Sequence, residues 1–149
     1  MILIQNFQRA IPIDKEQIQK KIACLLEYLK YDDFDIGVRF VNNHRMQEIN
    51  HQFRNKDKPT NVLAFPFHHT ITAGKRIVAQ TNDEKNLGDI IIAPAVIKQE
   101  APELGQSFEE RLTLLLVHGL CHLLGYDHET DEQHKKMQKL EQKLLKLIK

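Results

Sequence analysis

Three histidines near the C-terminal end, His118, His122 and His128, stand at a spacing that suits a metal ion. His118 and His122 are four residues apart, so on a helix they share one face, roughly 6 Å apart along the axis. Their imidazoles can then converge on one ion at about 2.0–2.1 Å each. Gly125 stands where such a helix should stop. It can take the left-handed conformation that turns the chain back and brings His128 in as a third ligand. Three neutral imidazoles suit zinc and leave a fourth tetrahedral position open, the arrangement of catalytic rather than structural sites. Nickel, copper and cobalt also fit a three-histidine site. A single histidine on an apolar helix is ordinarily a hydrogen-bonded core residue. Here the helix also carries Leu112, Leu114 to Val117, Leu120, Leu123 and Leu124, and two imidazoles buried there without partners would be costly.

Zinc in such a site can lower the pKa of a water molecule, polarise a carbonyl or phosphoryl oxygen, and orient a substrate. Metalloproteases with this histidine spacing place a glutamate directly after the first histidine to handle the proton of the attacking water. This chain has Gly119 there, and glycine cannot do that work. Glycine inside a helix also costs about 1 kcal/mol against alanine. Either something approaches the backbone at Gly119, substrate or a crossing element, or the helix packs tightly there.

The elements that must position these residues can be read from periodicity. Ile2 to Phe7 predicts a first strand. Asp14 with Gln17 opens a helix whose stripe is Ile18, Ile22, Leu25, Leu26 and Leu29. Phe34, Ile36, Val38 and Phe40 alternate as a half-buried strand. Asn42 or Asn43 caps a helix with Met46, Ile49 and Phe53 inward, followed by a basic loop, Arg54 to Pro59. Val62 to Phe65 is a third strand closed by Pro66. Residues 68–86 read as a loop or short hairpin, and Ile90-Ile91-Ile92 as a buried strand. Pro94 suits the first turn of a helix ending before Gly105. Capping boxes at Ser107/Glu110 and Thr130/Gln133 open the metal helix and a last helix with the stripe Met137, Leu140, Leu144, Leu147 and Ile148. Strands interleaved with helices favour a parallel or mixed sheet under helices.

At 149 residues the chain is sized for one domain spanning 1–149. A formal net charge of +1 gives no nucleic-acid signal by itself. The last helix is nonetheless basic, with Lys135, Lys136, Lys139, Lys143, Lys146 and Lys149 against Glu141; such lysines commonly form a solvated face. Cys24 and Cys121 fall in apolar helical patterns without Cys-x-x-Cys spacing, which argues for a reducing compartment. Cys121 points about 100° away from His122 around the helix and reads as packing rather than ligation. Met1 to Ile4 is too short for a signal-peptide core, and no apolar run reaches the roughly 20 residues that span a membrane. The expected location is the cytoplasm.

The run His118-Gly119-x-x-His122-x-x-Gly125-Tyr126-Asp127-His128 resembles the signature of the bacterial YbeY family, metal-dependent endoribonucleases of ribosomal RNA maturation. The stretch Asn50 to Pro66 resembles the family's Arg-x-Lys-Asp-Lys-Pro-Thr-Asp-Val-Leu-Ser-Phe-Pro block, and Leu87-Gly88-Asp89-Ile90 matches a third. Asn61 stands where Asp is usual and Ala64 where Ser is usual. The resemblance implies an α+β, zincin-like fold: a mixed four-stranded sheet backing the metal helix, with a cleft along an edge strand. It implies one zinc ion at His118, His122 and His128, and Arg54 as a catalytic residue. By itself Arg54 could be a surface arginine touching the last carbonyls of its helix, yet a guanidinium is also suited to gripping phosphate. The implied activity is single-strand-specific RNA hydrolysis in ribosomal RNA processing and ribosome quality control, with RNA, the ribosome or small-subunit components as partners and neither DNA nor membrane. A metalloprotease-like hydrolase and a non-catalytic ribosome-assembly factor with structural zinc are the alternatives. Asp127 and Asp89 are candidate partners for imidazole N–H groups; His51, His68, His69 and His134 read as surface residues.

Overall fold

The computed structural model describes residues 1–149. Along the chain run β1 (Ile2–Asn6), α1 (Lys15–Leu29), β2 (Asp35–Phe40), α2 (Asn43–Arg54), β3 (Val62–Pro66), β4 (Asn86–Ile92), α3 (Pro94–Glu103), α4 (Phe108–Leu123) and α5 (Asp131–Leu147). The strands form one mixed sheet in the order β1-β2-β4-β3. β1, β2 and β4 are parallel, and β3 runs antiparallel to β4 at the edge. No helix is long and apolar enough to cross a membrane.

Alternation along the strands divides the apolar residues between two layers. Ile36, Val38, Phe40, Ile90 and Ile92 join a cluster of 24 buried residues with α1, α4 and α5. Leu63 and Ile91 join a smaller cluster with Met46 and Ile49 of α2. Ile90-Ile91-Ile92 is therefore apolar throughout because helices cover both faces of the sheet there. Ile4, Val38, Ile90 and Ala64 are register partners across all four strands. Gly119 of α4 meets this row: a Cβ at Gly119 would lie 3.0 Å from Cγ2 of Ile90. The crossing-element and tight-packing readings of Gly119 coincide here: the helix packs closely on Ile90 of β4.

Some expectations needed correction. Phe53 is 61% exposed and meets Phe65 edge-on, with ring centroids 5.2 Å apart, instead of facing the interior. Leu147 is 43% exposed, beyond the buried part of the α5 stripe at Met137 and Leu144. Cys24 is exposed on α1, whereas Cys121 is fully buried and burial pushes its thiol far up. Of the loop or short hairpin read for residues 68–86, the loop holds: apart from a single 3-10 turn at Asn82–Glu84, residues 68–85 are loop and Asn86 opens β4. The segment is pinned by buried Ile77, whose N–H donates to the Tyr31 hydroxyl at 2.9 Å.

Candidate metal centre

α4 starts at the capping box: the Ser107 hydroxyl accepts from the Glu110 N–H at 3.1 Å, and Glu110 accepts from the Ser107 N–H at 3.0 Å. From that start the helix period places Arg111, His118 and His122 on one side. The helix ends in a Schellman motif. The Gly125 N–H donates to the His122 carbonyl at 3.0 Å and the Tyr126 N–H to that of Cys121 at 3.1 Å. Gly125 has φ of +92°, and a Cβ there would strike Ile71 of the long loop. Glycine is thus required twice, by the turn and by the segment lying over it. The chain turns back as expected and brings His128 to the other two histidines.

The three imidazoles present nitrogens that all lie within 4.8 Å of one another. Nε2 of His118 and Nε2 of His122 are 3.1 Å apart, close to the ~3.3 Å separating two tetrahedral ligands held about 2.0–2.1 Å from one ion. The other ring nitrogens settle the tautomers. Nδ1 of His122 faces the Tyr126 carbonyl at 2.9 Å, and Nδ1 of His118 faces the Glu141 carboxylate at 2.9 Å. Both partners accept, so both Nδ1 atoms carry the proton, and in the neutral rings that ligate metal both Nε2 atoms present lone pairs to each other. Two lone pairs at that distance repel; a cation between them removes the conflict. Burial first, then the neighbouring His118, pushes the His122 imidazole below the usual range, favouring the neutral ring that ligates metal. The donor set fits a metal ion.

These histidines line an open cleft of about 980 Å³ whose wall includes Thr60, Asn61, Val62, Ala64 and Pro66 of the β3 strand and its approach. Arg54, the last residue of α2, lines it too, and its guanidinium makes no hydrogen bond or ion pair within the chain. The last carbonyls of α2 are met instead by the Asn55 and Lys56 N–H groups, with Asn55 left-handed at φ 57°. The helix-end reading of Arg54 is thereby removed, and its guanidinium is free. The basic loop that follows is tied back onto α2: Asn50 Nδ2 donates to the Lys58 carbonyl at 2.8 Å and Gln47 Nε2 to Asp57 Oδ1 at 3.1 Å.

Neither aspartate expected beside an imidazole N–H is there. Asp89 lies across from Gly37 on the sheet, where a Cβ on Gly37 would collide with its carboxylate. Asp127 Oδ1 accepts from the backbone N–H of His128 at 2.8 Å. The acid in that role is Glu141, which left a trace in the sequence as the one acid between Lys135 and Lys146. It lies seven residues after His134 and three after Gln138, and all three line the cleft. Of the four histidines read as surface residues, His68, His69 and His134 line this cleft as well.

An α+β protein with a three-histidine centre in an open cleft, an unpaired arginine lining the same cleft and no acid after the first histidine has the make-up of a metal-dependent hydrolase. Comparison with known proteins agrees. The sequence model of the family described as endoribonuclease YbeY matches residues 3–149. Proteins named endoribonuclease YbeY include one from Bartonella bacilliformis, 47% identical over 76% of this chain and 68% of that protein. The human one is 36% identical over 97% and 86%. A Thermotoga maritima protein solved in solution superposes with a TM-score of 0.60 at 27% identity, over 98% of this chain and 90% of that one. The chain belongs to the endoribonuclease YbeY family.

Proposed function

We propose that the protein is a zinc-dependent, single-strand-specific endoribonuclease acting in ribosomal RNA maturation and ribosome quality control, on cytoplasmic ribosomes or their small-subunit precursors. The observation that carries this is the free Arg54 guanidinium in the same cleft as three imidazoles, two of which have Nδ1 occupied by an acceptor and Nε2 left to ligate. His118, His122 and His128 would hold the ion, which supplies Lewis acidity toward a phosphoryl oxygen and lowers the pKa of a water. Glu141 and the Tyr126 carbonyl keep two of the rings in the ligating tautomer and orientation. Arg54 donates to the non-bridging phosphate oxygens and shares the charge that develops on them. Gly119 places no carboxylate beside the centre, so the chain lacks the group a zinc protease uses on its attacking water.

The test incubates metal-loaded protein with single-stranded RNA, duplex RNA and peptide pools, beside Arg54→Ala and elemental analysis. Cleavage confined to single-stranded RNA, lost by at least about 100-fold in Arg54→Ala at unchanged Tm, supports the reading. Cleavage of peptides alone, or full RNA cleavage by Arg54→Ala, overturns it. One zinc per chain, lost in His128→Ala, is expected.

A further inference from the structure

The cleft contains a second arginine in a different setting. Arg111 lies on α4 seven residues before His118, two turns along the same face and about 10.5 Å distant along the axis. Its side chain is 19% exposed, and Nε donates to Oε2 of Glu100 at 2.6 Å. Asn61, at the start of the β3 wall, donates through Nδ2 to both Glu100 oxygens at 3.2 and 3.1 Å. Glu100 is thus held from two sides and fixes the plane of the guanidinium. Nη1 and Nη2 make no hydrogen bond within the chain, and Arg111 and Asn61 both line the cleft.

The two arginines differ in charge as well as exposure. Arg54 is exposed and unpaired, a net positive charge suited to phosphate. Arg111 is neutralised by a carboxylate that would repel a phosphate brought alongside, while its outer pair of donors stays open and oriented. A fixed donor pair without net charge suits a neutral partner offering two adjacent acceptors. Two nucleobase edges do so, N3/O2 of cytosine and O6/N7 of guanine, and the guanine edge is the commonest specific partner of an arginine fork. Bases of a single strand are free to be turned out and read on such an edge. We infer that Arg111, positioned by Glu100 and Asn61, binds a guanine base near the cleaved bond and gives the enzyme a sequence preference. This rests on the endoribonuclease reading above.

The experiment cleaves a randomised single-stranded RNA library with metal-loaded wild type and Arg111→Gln and sequences the products. Guanine should be enriched about tenfold or more at one fixed position relative to the cut, and the enrichment should vanish in Arg111→Gln. Inosine, which retains O6 and N7, should replace that guanine in the wild type; 7-deazaguanine, which lacks N7, should not. Glu100→Gln should weaken the preference while Arg111→Lys fails to restore it, since lysine has no fork. Equal loss on all sequences in Arg111→Gln, with a shallower salt dependence, would assign Arg111 to a phosphate and overturn the inference. So would absence of guanine enrichment in the wild type, or indifference to 7-deazaguanine, and those two readings need no variant to fold. If the wild type cleaves no RNA, the endoribonuclease reading fails. The base site is then read separately by wild-type affinity for 2′-O-methyl oligonucleotides differing only in guanine against 7-deazaguanine; equal affinities reject it.

Discussion

At the centre of the site, what distinguishes His118 and His122 from ordinary helix histidines is the partner of each Nδ1. A carboxylate and a carbonyl both accept, which leaves the two Nε2 lone pairs facing each other at 3.1 Å. Glu141 does this for His118 with a side chain only 14% exposed, so water substitutes poorly for it. Glu141→Ala is expected to weaken metal binding about 10–100-fold, measured by competition with a chromogenic chelator. Glu141→Gln keeps an acceptor but loses the charge and should fall between that variant and wild type. Equal affinity in all three would mean the contact does not tune the site. The histidines themselves were legible because their relation is local, four residues and then a turn. Glu141 was not, because 23 residues separate it from His118 and only the docking of α5 on α4 joins them.

Among the elements, α4 does most of the positioning, and its start is set by short-range chemistry. Ser107→Ala should lower stability by about 1 kcal/mol, read as a reduced Tm. The cap also has a pH signature. The Ser107 N–H, then its hydroxyl, holds the Glu110 carboxyl below the usual carboxylate range. Since the folded value lies below the unfolded one, the contribution is present above the ordinary Glu pKa and is lost as pH falls through the lowered value. The Tm difference between wild type and Glu110→Gln should therefore shrink on acidification through that range; a constant difference would contradict it. Nearly every helix and strand was legible in periodicity and caps. Phe53 and Leu147 were misplaced because a stripe records which face is apolar, not how far the neighbouring element extends beneath it.

On the scale of the whole molecule, the centre joins α4, the turn after it and, through Glu141, α5. An ion there should stabilise the fold, since it binds the folded arrangement and not the open chain. Stripping the metal with chelator should lower Tm, and zinc should restore it. At free metal 100 times its Kd the expected gain is about 2.7 kcal/mol. His118→Ala should be indifferent to both treatments, and a wild type equally indifferent would refute a metal-coupled fold. The order β1-β2-β4-β3 also leaves β3 on the edge, where the cleft opens. Periodicity identifies strands without ordering them, so that position is a property of the assembled sheet.

The amino-acid sequence alone determined the relations that span a turn or two: the histidine pair, the left-handed Gly125, both capping boxes and the absence of a glutamate after His118. Each is dictated by backbone geometry within one element and its cap. The tertiary structure decided what faces the histidines. It brought Glu141 against His118, freed Arg54 by satisfying the end of α2 with backbone N–H groups, set Gly119 on Ile90, and gathered Asn61, Glu100 and Arg111 from three separate segments. Such contacts depend on where whole elements dock, and docking follows from burying two apolar layers at once rather than from any local pattern.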